Sequence, residues 1–332
     1  MKGIGRLVQL GIYKESTRGT TPSTPNGSTF WVAWNDGLIE EMYENVVDVE
    51  AYGKIADSQN VQRVKNWAEG SVKAPISDKS FPLMLLSLLG QDNPTLHSGE
   101  TTVYDHALSV TDNSQHQSLS LYLHDPIANQ DYSYANAVVS KLEIDYSLKS
   151  FMNYSATFMG QAGVKVSTIS VSQTPEFRFT PQHMAFKTCA TYSGMNAGGI
   201  SLGVKSLKLT VDQNIEADDV LGQITPRDFL TKDMSVKGTV EVIFQNETDL
   251  KANALANTQQ ALRIDLLNSD TVIGTAANPE VRIDLPKVFF TKYSLPRKVN
   301  DLIYQTVEFQ AVLSITDGFQ IQALCTNKVV SY

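Results

Sequence analysis

The feature that most constrains this chain of 332 residues is a two-residue alternation of apolar and polar side chains, which recurs along most of its length. In "SLSLYLHD", Leu119, Leu121 and Leu123 share one face, while Ser118, Ser120, Tyr122 and His124 share the other. In "KLEIDYSL", Leu142, Ile144 and Tyr146 oppose Lys141, Glu143 and Asp145. The segments "NYSATFMG", "VKSLKLTV", "SVKGTVEVIF", "ALRIDLL" and "IYQTVEFQAVL" read the same way. Successive side chains of a strand point to opposite faces, so this period means strands with one wet and one dry face. Strands of a parallel α/β sheet are apolar on both faces, so the pattern predicts antiparallel sheets and a mostly β chain.

Helical periodicity is confined to residues 80–89, about 247–259, and 37–46. The first segment, "SFPLMLLSLLG", has Asp78 or Ser80 to cap it, Pro82 in its first turn and Gly90 as a stop. Leu83, Leu85, Leu86, Leu88 and Leu89 nearly encircle it, and a helix this short is not stable alone. It must therefore be covered by its own sheet and by a second sheet or a neighbouring subunit, as a plug at a sheet edge or interface. The 247–259 segment opens on Asn246 as a cap, with Glu247 and Asp249 at its positive end.

The order of elements repeats. A strand ("EGSVKAPI"), the helix at 80–89, a long loop, a strand ("SLSLYLH") and a long hairpin make the first series. "VKGTVEVIF", "NETDLKANALANTQQ", "ALRIDLL" and the hairpin starting "PKVFFTKYSL" make the second. The hairpins share Tyr-Ser-Leu at Tyr146–Leu148 and Tyr293–Leu295, an offset of 293 − 146 = 147. The expected architecture is two tandem β-sandwich or barrel domains, each with a short flanking helix; one large sandwich is the other reading. The expected division is an N-terminal arm with the first strands at 1–45, a domain at 46–165, a connecting segment at 166–200 and a domain at 201–332. Residues 14–29, rich in Ser, Thr, Pro and Gly, are expected to be an extended mobile arm. Residues 90–117 are expected to be a long functional loop, and 191–203 a linker.

Motifs that carry chemistry are missing. His97, His106, His116 and His124 match no zinc spacing, and no cysteine accompanies them. "GLIEEMYE" and "EADDV" lack the glycine and spacing of a calcium loop, and "NAGGISLG" lacks the Lys-Ser/Thr of a phosphate loop. There is no G-x-S-x-G. The expectation is no catalytic residue, no metal and no cofactor. Cys189 and Cys325 stand far apart, as expected for reduced thiols. No apolar run reaches the ~18 residues of a membrane-spanning helix, and the first residues lack the apolar core of a signal peptide. The formal charge of −8 is opposite to that of a protein gripping nucleic acid through its phosphates.

Three stretches together resemble the tail tube (major tail) proteins of long-tailed bacteriophages: "VQLGIYKESTRGT…TFWVAW", "ADSQNVQRVKNWAEGSVKAPI" and the helix ending "LLSLLG". The resemblance implies that each domain gives a four-stranded sheet to the wall of a hollow cylinder and that six domains close a ring. Three two-domain chains would make one ring, with a hexamer as second choice, and stacked rings would form the conduit for DNA ejection. Implied partners are further copies of the chain, a tape measure protein, a tail terminator and distal tail or baseplate proteins. DNA would pass without specific binding, no membrane would be involved, and the product would be a virion tail assembled in the host cytoplasm. Glu143, Asp145, Glu241 and Glu308 are the expected bore-lining residues, diluted by Lys73, Lys141 and Lys237 on the same strands. The five leucines of the 80–89 helix are the expected interface helix. The rival class is a β-sandwich module binding carbohydrate or a receptor, against which three tryptophans, Trp31, Trp34 and Trp67, offer few stacking platforms.

Overall fold

The computed structural model describes residues 4–127, 130–167, 169–244, 250–297, 299–300 and 302–332. The capping signals at Asn246, Glu247 and Asp249 lie outside them. The strands of the first half are β1 (Gln9–Lys14), β2 (Phe30–Val32), β3 (Ile39–Val47), β4 (Val61–Pro75), β5 (Gly90–Leu96), β6 (Tyr104–Val110), β7 (Leu119–His124), β8 (Tyr132–Ser147), β9 (Asn153–Gly160) and β10 (Val164–Lys165), with helix α1 (Phe81–Leu89) between β4 and β5. There follow β11 (Met184–Cys189), α2 (Met195–Gly198), β12 (Ile200–Leu202), β13 (Val204–Ala217), β14 (Phe229–Ile243), α3 (Lys251–Leu255), β15 (Gln260–Leu267), β16 (Glu280–Ser294), β17 (Tyr304–Ala311) and β18 (Gln322–Asn327). The chain is mostly β and its strand pairs are antiparallel, as the alternation requires.

Eight strands pair into one front sheet in the order β3-β4-β9-β8-β13-β14-β17-β16. Behind it lie two rear sheets, β2-β1-β7-β8-β10 and β12-β11-β15-β16-β18. The strands β8 and β16 belong to both layers: their first halves pair in the rear and their second halves in front. The pairing order of the second set of strands repeats that of the first. Among the described residues the β5–β6 hairpin has no counterpart in the second set, and it adds itself to β18.

Two irregularities set the register of this repetition. In β8 the ladder with β9 slips between Val139 and Lys141, and in β16 the ladder with β17 slips between Phe290 and Lys292. A bulge of this kind bends a strand, here where each one leaves the rear sheet for the front. The bulges place Val139 opposite Phe158 and Phe290 opposite Phe309, an offset of 290 − 139 = 151. The shared Tyr-Ser-Leu triplets, 147 apart, are thus not structurally equivalent. Gly70 opposite Ile39 and Gly238 opposite Leu209 form a second matched pair. A Cβ on Gly70 would lie 2.2 Å from the Leu38 carbonyl oxygen, and one on Gly238 would lie 2.7 Å from that of Lys208. Both sites exclude a side chain because the adjacent strand's backbone fills the space, joined at Gly238 by the Phe309 ring at 2.3 Å.

Between the layers lies one contiguous core. The front sheet contributes Val72, Leu142, Ile144, Phe158, Leu209, Val240, Val307 and Phe309. The rear sheets contribute Leu10, Ile12, Leu121, Phe186, Ile264 and Ile283. Helix α1 is embedded in this core, with all nine of its residues buried. Its five leucines, expected at a subunit interface, are 0–2 % exposed within the single chain. The helix packs against β5, β6, β8 and β18, so the covering comes from the chain itself. Neither expected cap works as such. Ser80 makes no capping bond, and Asp78 instead accepts the amide of Phe177 at 2.8 Å. Gly90 ends the helix as expected, in the left-handed region at φ 99°, donating its amide to the Leu86 carbonyl. Ser87, the one polar side chain between Phe81 and Gly90, accepts the amide of Val139 at 3.1 Å. That amide sits at the β8 bulge, so the helix supplies a partner at the point where the ladder slips.

Four local expectations are overturned. The face of β7 read as wet is covered by the 14–29 arm, with Ser118, Ser120 and Tyr122 0–2 % exposed. Residues 39–47 form strand β3, not a helix, because β4 offers them a continuous ladder. Residues 90–110 contain the β5–β6 hairpin in place of an open loop. The start of the 14–29 arm is tied to the body. Glu15, 2 % exposed, accepts hydrogen bonds from the Ser118 and Ser120 hydroxyls and from the amides of Gly19 and Asn136, at 2.6 to 2.8 Å. Arg18 bridges to Asp228 at 2.6 Å and donates to the carbonyls of His116 and Phe229. Burial of the Glu15 carboxylate, and partial burial of the Arg18 guanidinium, is sustained by charge-assisted hydrogen bonds. They clamp the arm across both halves of the chain.

Candidate functional surface: the polar face of the front sheet

The largest coherent feature outside the core is the open face of the front sheet. Because neighbouring strands are in register, its side chains form rows that run across the sheet. One row reads Lys73, Ser155, Glu143, Thr210, Lys237, Gln310. The next reads Asn153, Asp145, Lys208, Thr239, Glu308, Lys292. A third reads Ser147, Ser206, Glu241, Thr306, Ser294. The expected residues Glu143, Asp145, Glu241 and Glu308 thus come from β8, β14 and β17 onto a single face, although the sequence separates them by as many as 308 − 143 = 165 positions.

Across these three rows the face is charge-balanced and not acidic. The three rows hold four carboxylates and four lysines, spaced by hydroxyl and amide side chains. Glu143 lies 3.0 Å from Lys141 and 3.4 Å from Lys208, and the hydrogen bond from Lys141 holds its carboxyl below the usual range. Glu308 lies 2.8 Å from Lys292, whose ammonium is pushed up by that bond. Glu241 lies 3.9 Å from Lys205, which also stands over the Tyr304 ring at 3.9 Å. Exposed pairs of this kind contribute little stability. Their effect is to cancel the local field, leaving along these three rows a hydrophilic surface with neither the cationic stripe nor the aromatic platforms that hold a nucleic acid strand. Further carboxylates gather at the β3 margin of the sheet and the turn beyond it, at Glu40, Glu41, Glu44, Asp48 and Glu50.

The histidines are absorbed individually. His97 pairs with Asp105 at 2.9 Å, His106 with Asp92 at 3.0 Å and His124 with Asp131 at 2.8 Å, while His116 faces the carbonyls of Leu88 and Thr111. Among the described residues no group of three or more His, Cys, Asp or Glu is placed to hold a metal. Both cysteines are unpaired thiols, with burial pushing that of Cys325 up. Sequence reasoning missed the Glu15–Arg18 clamp, whose only local signal was two charges at the start of a Ser/Thr/Pro-rich run.

The fold is that of a layered antiparallel β protein whose front sheet presents a wide, polar, strand-built face. The family model described as phage tail tube protein matches residues 5–311, nearly the whole chain, and the chain belongs to that family. It is therefore a phage tail tube protein, a component of the virion tail. No curated protein matches the chain.

Proposed function

We propose that three copies of this chain join through the margins of their front sheets into a closed ring, and that rings stack into the hollow tube through which DNA leaves the virion. The observation carrying this reading is the continuous eight-stranded front sheet, apolar behind, polar and field-balanced in front, and ending at β3 and β16. Eight strands closed on themselves would leave an interior that side chains fill, whereas barrels of about 16–18 strands already hold an aqueous channel. Three chains supply 3 × 8 = 24 strands, counting the front-sheet ladder. Closure also removes the unpaired margins that would otherwise aggregate.

In this reading the chain carries two tube domains, at about 9–165 and 184–327. Strands β11 and β12 take the places of β1 and β2, which moves the start of the second unit ahead of residue 201. The polar face lines the bore, where balanced charge lets a polyanion slide without adhering. A tape measure protein occupies the bore before ejection, and a tail terminator and distal tail or baseplate proteins meet the two ends.

Negative-stain microscopy and mass measurement of the purified chain at rising concentration test the proposal. The expected result is hollow rings or tubes with a smallest stable assembly of three chains. A six-chain ring overturns the stoichiometry, and solid particles or a monomer at every concentration overturn the function.

A further inference from the structure

We infer that the joint between neighbouring copies pairs the last residues of β16 in one copy with β3 of the next, in a register already written inside the chain at the β8–β13 joint. This inference rests on the ring reading above and adds the edges, the direction and the residue pairs.

The intrachain joint sets the pattern. After its bulge, β8 runs antiparallel to β13, with Lys141 opposite Asp212, Glu143 opposite Thr210 and Ile144 opposite Leu209. In the second set of strands, β16 after its own bulge has no ladder partner on the corresponding side among the described residues: β15 pairs with it only as far as Val288. Likewise, among the described residues β3 pairs with β4 alone, and its residues from Glu40 to Val47 are exposed. Each margin is therefore the counterpart of one side of a joint that the chain makes elsewhere.

The register follows from the two matched irregularities. The bulges equate Lys141 with Lys292, an offset of 292 − 141 = 151. The glycine contacts equate Leu209 with Ile39, an offset of 209 − 39 = 170. Transferring both offsets places Lys292 opposite Met42 of the next copy, Ser294 opposite its Glu40, and Leu295 opposite its Ile39. Charge supports the match. The β3 margin carries Glu40, Glu41 and Glu44, and the β16 margin carries Lys292 and continues to Arg297. Opposite charges on facing strands attract and like charges repel, so this acidic margin accepts the basic one and rejects a second copy of itself. The contact is heterologous, head to tail, as a closing ring requires.

The test uses the full-length chain with Ser294→Cys and Glu40→Cys, which the register sets opposite each other on the polar face. Mild oxidation is expected to convert most of the assembled protein into disulfide-linked rings on non-reducing gels. Neither single variant should do so, nor should Ser294→Cys with Glu41→Cys, whose side chains point to opposite faces. A second pair, Lys292→Cys with Met42→Cys, serves if the first variant does not fold, as judged by its thermal transition. Rings or tubes seen by microscopy, with neither matched pair cross-linking, overturn this joint while leaving the ring intact. Cross-linking of the mismatched pair at equal yield also overturns the register. A wild-type chain that never assembles removes the ring reading and this inference with it.

Discussion

Helices α1 and α3 occupy the same place in the order of elements, each following the second strand of its half of the front sheet, yet they differ physically. α1 has nine residues, all buried, while α3 has five and none buried. The difference comes from what surrounds them. The first set of strands carries the extra β5–β6 hairpin, which joins β18 and closes over α1. A repeated topology thus does not imply repeated energetics, and an insertion in one half can make a core element of what is a surface element in the other.

Truncation separates the two helices most sharply. Leu86→Ala removes a side chain 2 % exposed and is expected to cost about 2–5 kcal/mol. Leu255→Ala, in a residue 72 % exposed, should stay within about 0.5 kcal/mol of wild type. Denaturant titrations check both, and equal losses would remove the contrast.

A smaller effect concerns the entrance to α1. Burial pushes the Asp78 carboxyl up to about 6, against the downward pull of the Phe177 amide and Lys79. Its folded value lies above its unfolded one, so its contribution to stability is complete below about pH 4 and lost as pH rises through about 6. Above that the fold carries a buried charge costing on the order of 2–3 kcal/mol. Asp78→Asn is therefore expected to raise the thermal midpoint at pH 8 and to lose that advantage at pH 4. Melting curves at the two pH values decide, and a gain independent of pH points to packing instead.

The smallest change in stability, within about 0.5 kcal/mol, is expected from Glu241→Lys with Glu308→Lys on the polar face. Rings should still form, while the bore gains positive charge and DNA ejection slows. Ejection kinetics of phage carrying the variant measure this, and wild-type rates would deny that face a lining role.

Much of the fold was legible along the chain. The alternation in "KLEIDYSL" or "IYQTVEFQAVL" names the buried residues of β8 and β17 without reference to any partner. The apolar run before Gly90 likewise reads as a covered helix. What misled was local pattern without context. Leu38, Ile39, Met42, Tyr43 and Val46 are spaced like one helical face, yet a strand alongside β4 satisfies their backbone better than an isolated helix could. The Tyr-Ser-Leu triplets suggested one offset and the bulges set another, because a triplet carries no geometry and a slipped ladder does. Glu143, Asp145, Glu241 and Glu308 could be placed on wet faces of strands. Their lysine partners could not be assigned, since Lys208 and Lys292 lie on strands brought alongside only by pairing.

The sequence by itself determined the alternating strands, among them β9, β13, β14, β17 and the second half of β8, and the dry side of each, because those properties follow from the two-residue period of one backbone segment. Only the tertiary structure decided that β8 meets β13, that β6 meets β18, and that carboxylates and lysines meet across the polar rows. Backbone ladders are chemically alike from strand to strand, so the choice among partners rests on bulges, glycine contacts and charges that come together only after the chain has folded.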